Sequence, residues 1–386
     1  MNNVNRYIKS WFSDELKLIH FLSQKSSVNN FTTSSKINWI LFIDLIKKHR
    51  LVSHVLKHSE SKNIFPTSVY KEIKSIQLSQ IKKSLLLNSE LLRIHDALNK
   101  KNIDHMFFKG SLLSFELYND IGFRNFRDID LLVHKSNVEQ ANSAIIELKY
   151  KLFDPSFELT KKQKRINYSL SHHYHLQHKE LPVDIELHWN ITNPKSFLSI
   201  STEKILRNKL LIQFQTYTLP YISKLENIVF LAAHGSIHQW YRLFWLKDFS
   251  VLLATLDINE IKQAWELSKK LSLHKCFLQA CFLSKYVYNS ILPDFILEQK
   301  IKKSLLRTPL KSIATTELKQ SGLIGKLNYP IYRLRLKSNL KYNFDLIFRL
   351  RTHFSDWKIV NLPDILFFLY YPLRPLLLLY KIISKK

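Results

Sequence analysis

Asp128 and Asp130 stand two residues apart in the run DIDLLV, an aliphatic stretch that reads as a strand. Side chains alternate along a strand, so both carboxylates leave one face while Ile129, Leu131 and Val133 point into a core. Two adjacent carboxylates repel unless something cationic sits between them. A hard divalent ion such as Mg²⁺, which takes oxygens from carboxylates and substrate phosphates, is the natural occupant. A D-x-D pair is short enough to arise by chance, so its company matters. Upstream, the apolar run HMFFK stops at Lys109-Gly110-Ser111, where a tight turn would bring backbone N–H groups and the Ser111 hydroxyl to a phosphate. Downstream, VDIELHW offers Asp184 and Glu186, again two apart on one face of a strand and able to supply a third carboxylate.

The elements that must position these groups follow from periodicity. Residues 1–100 carry Leu, Ile and Phe at helical spacing, punctuated by Pro66 and the polar stretch 29–35. Strands are expected at 105–109, 128–134, 172–178 and 183–189, with helices at 111–119 and 137–150 and a polar connection before the third strand. Alternation of this kind makes a small α/β core with a mixed sheet. Helical period returns after Trp189, over 224–253 and 258–292. Residues 328–360 are basic and amphipathic. Residues 365–380, ILFFLYYPLRPLLLLY, are very apolar but shorter than the ~20 residues a spanning helix needs, and read either as a C-terminal helix docked on the core or as a monotopic membrane contact.

The ordered set resembles the DNA polymerase beta-type nucleotidyltransferase superfamily. More closely, it resembles a bacterial nucleotidyltransferase family with the motifs K-G, L-Y, G-x-R, D-I-D-L-L-V and E-L-H-W. Here these are Lys109-Gly110, Leu117-Tyr118, Gly122-Phe123-Arg124, residues 128–133 and Glu186 to Trp189. HGSIHQWYRLFWLKD, with His234, His238, Trp240, Arg242 and Asp248, resembles the helical stretch that follows the core in that family. The likeness covers roughly residues 85–255, although the gap from Ser111 to Asp128 is longer than in the wider superfamily.

The resemblance implies an α+β fold: a small mixed-sheet nucleotidyltransferase core flanked by N-terminal and C-terminal helical regions. The expected divisions are an N-terminal helical region over 1–95, the core over 96–190, a helical domain over 191–325 and a basic, then apolar, C-terminal segment over 326–386. It also implies transfer of a nucleotidyl group from a nucleoside triphosphate such as ATP to an acceptor hydroxyl, with release of pyrophosphate. Asp128 and Asp130 would hold two Mg²⁺ (or Mn²⁺) ions about 3.5–4 Å apart. Glu186 would hold the ion that activates the acceptor; Asp184 shares its face and competes for that role. Gly110 and Ser111 would grip the triphosphate, with Lys109 and Arg124 neutralising the leaving pyrophosphate.

Plainer roles stand beside these. Lys109 could lie on the surface, Arg124 could pair with Asp120 or Asp128 to brace its loop, and Gly122 reads as a turn residue. Mg²⁺ sites seldom use histidine, so His188 reads as a structural neighbour of the site. Trp189 reads as core or as a base-stacking wall. His234 and His238 share a helix face, but no third zinc ligand is evident; His234, Arg242 or Asp248 would line a cleft. The run HHYHLQH, 172–178, reads as exposed-strand chemistry or chance, with a transition-metal cluster as the alternative.

Composition sets the bounds. The chain has 386 residues, 46% of them hydrophobic, which is ample for a core. Five glycines, with neither G-x-G-x-x-G nor G-x-x-x-x-G-K-[ST], exclude dinucleotide-binding and P-loop folds. Two cysteines make a disulfide framework improbable, and the N-terminus carries no secretory signal, so a cytoplasmic location is expected. The net charge is +27, and residues 301–386 hold 17 basic against 4 acidic residues. That surplus favours a polyanionic partner: an RNA acceptor, or an anionic membrane, at the inner face, met through the C-terminus. A Lys-rich surface with no partner would account for it equally. Protein and glycan acceptors stay open, the last because members of the resembled family are associated with surface-polysaccharide pathways. The competing functions are a catalytically silent nucleotide- or RNA-binding protein and a peripheral membrane component of such a pathway.

Overall fold

The computed structural model describes residues 7–8, 10–24, 37–59, 64–192, 197–315, 323–337, 339–347 and 352–384. The polar stretch 29–35 lies outside them. The protein is α+β, with a seven-stranded mixed sheet and helices among the described residues. Two compact units divide the chain: Met1–Ser89 with Lys109–Arg127 and Ser223–Lys337, and Glu90–Phe108 with Asp128–Ile222 and Ser338–Lys386.

The second unit contains every described strand: β1 (His105–Phe107), β2 (Asp128–Val133), β3 (Tyr150–Asp154), β4 (His173–His178), β5 (Asp184–His188), β6 (Leu210–Phe214) and β7 (Tyr217–Tyr221). Their order is β3-β4-β5-β2-β1-β7-β6. The pairs β2/β5 and β1/β7 are parallel and the rest antiparallel. Ile129, Leu131, Val133, Ile185 and Leu187 are at most 2% exposed and form the core side of the two central strands. The helix Val138–Glu147 contributes Ala141, Ala144 and Ile145 to the same unit's core.

Three strands and one helix of this unit escape the periodicity reading. The helix expected over 137–150 stops at Glu147, because Lys149 turns left-handed at φ 70° and the chain reverses into β3. The polar connection contains the helix Lys161–Leu170, started by a capping box between Thr160 and Gln163. The hairpin β6–β7 interrupts the stretch read as helical. Its turn places Gln215 at φ 53° and carries none of the Asn-Gly or Asp-Gly signals that mark such turns.

A chain of hydrogen bonds fixes protonation under β1. His105 Nδ1 lies 2.8 Å from the Ile103 carbonyl, which only a donor can satisfy. His105 Nε2 must then accept from His95 Nδ1 at 2.9 Å, and His95 Nε2 from Asn99 Nδ2 at 2.9 Å. The relay works only with both imidazoles neutral. Burial accordingly holds the His105 pKa down to about 4. As pH falls below about 6.5, the unfolded chain takes up this proton while the folded one refuses it, so stability declines toward pH 4. At pH 5 the expected loss from this residue is about 2 kcal/mol relative to pH 7.5. Urea unfolding at the two pH values should show a smaller difference in His105→Gln than in the parent chain. An equal difference would contradict this account.

The first unit contains helices and loops but no strand among its described residues. Around Gln279 it buries a polar network: Gln279 Oε1 accepts from Trp240 Nε1 (3.0 Å) and Tyr332 Oη (3.1 Å), and Tyr332 Oη also reaches the Ser236 carbonyl at 3.0 Å. Trp240 packs so closely that a Cβ on Gly235 would fall 2.4 Å from its ring, so this helix position admits no side chain. Cys276 and Cys281 are free and buried, and burial pushes the Cys276 thiol up to about 12.

Candidate active site

Register brings the carboxylates together. On the parallel strands β2 and β5, Asp128 lies opposite Asp184 and Asp130 opposite Glu186. All four acids therefore share the face opposite the aliphatic core. Asp130 is the deepest, at 3% exposure. Side-chain exposures of 35% for Asp184 and 29% for Glu186 leave both reachable from solvent.

His188 stands among them. Its Nε2 is 3.1 Å from Glu186 Oε2 and 3.3 Å from Asp130 Oδ1, and its Nδ1 is 3.3 Å from the Asn190 carbonyl. Burial alone would lower its pKa, but the hydrogen bonds to Asp130 and Glu186 and their charges raise it overall. The nitrogen thus fills, with a proton, a place where two carboxylate oxygens converge. Ligand atoms of Asp130, Glu186 and His188 all lie within 4.8 Å of one another, as do those of His172, His173 and His188. Two carboxylates and an imidazole held by a backbone carbonyl make a donor set that fits a divalent cation. Asp128 and Asp184 pair one step earlier along the same face.

Strand β4 carries the run HHYHLQH, read from the sequence as exposed-strand chemistry, chance or a transition-metal cluster. His175 pairs with Glu186 and His173 with His188 in antiparallel register. His175 Nε2 reaches Asp184 Oδ1 at 3.1 Å, and His173 Nε2 comes within 4.0 Å of Glu186 Oε1. Asp184 is thereby engaged by His175, whereas Glu186 faces Asp130 and His188. The signal was the period-two spacing of HHYHLQH beside VDIELHW.

The remaining sequence candidates lie in the helical unit. Lys109 and Gly110 take positive φ angles of 63° and 53°, and Lys109 combines this with ψ −143°. A lysine is rarely found there, at a cost of about 1–3 kcal/mol, and such strain concentrates at functional turns. The turn opens the helix Gly110–Tyr118, whose first N–H groups are oriented for an anion. Ser111 is 2% exposed, and Lys109 Nζ lies 5.8 Å over the Phe230 ring. His234 packs on His238 and Trp245 at ring separations of 4.7 and 5.2 Å. His238 is pushed down to about 4 by burial and then by the charges of Lys109, Arg333 and Arg242. Three cations therefore converge on this histidine. Arg333 was not anticipated, because nothing in its local sequence ties it to the others.

Arg124 and Asp248 meet each other. Arg124 Nε donates to Asp248 Oδ2 at 2.7 Å and Tyr118 Oη donates to Asp248 Oδ1 at 2.8 Å, with both charged side chains at most 5% exposed. Burial raises the Asp248 pKa, against the opposing pull of Arg124 and Tyr118. The L-Y, G-x-R and terminal Asp motifs thus converge on one internal brace. Asp120 instead accepts from the Gly122 N–H at 2.7 Å, closing the turn before Arg124.

The second unit thus carries a paired row of acids on two parallel strands, and the first carries a strained Lys-Gly-Ser turn. The family model of the uncharacterised nucleotidyltransferases matches residues 35–289, and the chain belongs to that family. Membership supports nucleotidyl transfer as its activity. No curated protein matches the chain.

Proposed function

We propose that the protein is a nucleotidyltransferase of the DNA polymerase beta-like superfamily that moves a nucleoside monophosphate from a triphosphate to an acceptor hydroxyl. The observation that carries this reading is the register of β2 on β5, which sets Asp130 beside Glu186 and Asp128 beside Asp184. Asp128, Asp130 and Glu186 would hold Mg²⁺ or Mn²⁺. The bound metal would supply charge neutralisation of the triphosphate and a lowered pKa for the acceptor hydroxyl.

The protein's own groups have separable tasks. Glu186, partly exposed and bonded to His188, would accept the hydroxyl proton. His188, braced by the Asn190 carbonyl, orients the Glu186 and Asp130 carboxylates. The Gly110 N–H and the Ser111 hydroxyl take phosphate oxygens, and Lys109 neutralises the pyrophosphate. Arg124 serves through Asp248, holding the loop that precedes β2.

The test is incubation of the full chain with each α-labelled triphosphate, Mg²⁺ and fractionated RNA, protein and glycan. Label is expected in one fraction from one preferred triphosphate. Triphosphate binding with no label in any fraction would instead establish a catalytically silent binding protein.

A further inference from the structure

The helix Phe354–Ile359, the short 3-10 helix Asp364–Leu369 and the helix Tyr370–Ile383 pack around Trp357, Phe367, Tyr370 and Leu377. The last of these helices inverts the usual arrangement of an amphipathic surface helix. Its inward side carries the charges: Arg374 and Lys381 both pair with Asp356, whose side chain is fully buried. Its outward side carries none. Tyr371, Leu376, Leu379 and Ile383 are 44 to 72% exposed, and Ile365 and Phe368 extend the same apolar surface at 83 and 60%. Contiguous apolar area of this kind is uncommon on a surface that meets only water.

What would cover it follows from length and charge. Fourteen helical residues span about 21 Å, well short of a ~30 Å hydrocarbon core. Among the described residues no helix is long and apolar enough to cross a membrane. The helix can therefore lie along an interface but not pass through one. Residues 352–386 hold five basic and two acidic side chains. Asp356 is consumed internally, while Lys358 is exposed and Lys385 and Lys386 come after Ser384, the residue that caps the helix. An apolar face flanked by cations is complementary to an anionic lipid surface, where acyl chains take the leucines and headgroups the lysines. Tyr371 and Tyr380 near the two ends suit the headgroup boundary.

We propose that this face docks on an anionic phospholipid bilayer, with the helix Tyr370–Ile383 lying in the plane of the interface. The proposal is independent of the nucleotidyl-transfer reading.

The experiment is flotation of the full chain with vesicles of phosphatidylcholine alone and of phosphatidylcholine mixed with phosphatidylglycerol. Binding is expected to the mixed vesicles, to weaken with added salt, and to fall about tenfold or more on neutral vesicles. Leu376→Glu with Leu379→Glu should lose about tenfold or more on the mixed vesicles. The milder Leu376→Ser with Leu379→Ser should fall between, both pairs retaining the parent's thermal unfolding. Undiminished flotation of the Glu pair, or no flotation of the parent chain, would overturn the proposal. So would a parent dimer that the Glu pair splits without any vesicle binding, since a second copy would then cover the face.

Discussion

Asp130→Asn is expected to lower nucleotidyl transfer by about a thousandfold while the protein still folds. The substitution keeps shape and hydrogen-bonding capacity but removes the negative charge from the most deeply buried of the four acids. An amide cannot hold a divalent cation against solvent as a carboxylate does. It also cannot balance the proton shared with His188 Nε2 at 3.3 Å. The neighbouring acids allow a sharper comparison. Glu186→Gln should approach the Asp130→Asn defect, because Glu186 groups with Asp130 and His188. Asp184→Asn should cost much less, because its carboxylate is engaged by His175. Steady-state labelling of the acceptor, with circular dichroism as the check on folding, reads all three. Transfer by Asp130→Asn within tenfold of the parent, or a larger loss in Asp184→Asn than in Glu186→Gln, would remove the proposed metal role from this cluster.

That comparison was half legible in the sequence. Alternation along DIDLLV and VDIELHW placed each pair of acids on one face, because a strand's period is two and its other face was aliphatic. Which acid meets which is a matter of register between strands more than fifty residues apart, and no local pattern encodes it. The role of β4 was hidden for the same reason. His173 and His175 gain meaning only when the antiparallel pairing sets them against His188 and Glu186.

Elements went unread where their signals were short or polar. The helix Lys161–Leu170 is too hydrophilic to show an apolar stripe, and its capping box was the available sign. β3 mixes Lys and Asp into its alternation, and the β6–β7 hairpin turns on a glutamine. Conversely, the helical reading of residues 224–253 held through the helices Lys224–Ile237 and Leu243–Ala254, because long apolar stripes dominate both.

The brace of Arg124, Asp248 and Tyr118 yields the largest expected effect on stability. Arg124 and Asp248 lie 124 residues apart in sequence and are both withdrawn from water. Such a pair contributes little net stability relative to apolar residues of similar size, because desolvation offsets the attraction. Removing one partner is different, since the other is left charged in a site that cannot solvate it. Asp248→Asn should therefore destabilise the helical unit by about 3–5 kcal/mol. Tyr118→Phe, which removes one hydrogen bond to the same carboxylate, should cost about 1 kcal/mol. The double variant Arg124→Met with Asp248→Leu should be more stable than Asp248→Asn, with a coupling energy of about 2 kcal/mol between the two sites. Urea unfolding of the parent, Arg124→Met, Asp248→Leu and the double variant measures each corner of that cycle. If the two single losses simply add in the double variant, the ion pair is not what holds the Gly122 to Arg124 loop. The loop would then owe its shape to the Asp120 turn alone, and Asp248→Asn would leave catalysis untouched. If the coupling is as expected, Asp248→Asn should also slow transfer, through the loop that leads into β2 and without any contact between Asp248 and the substrate.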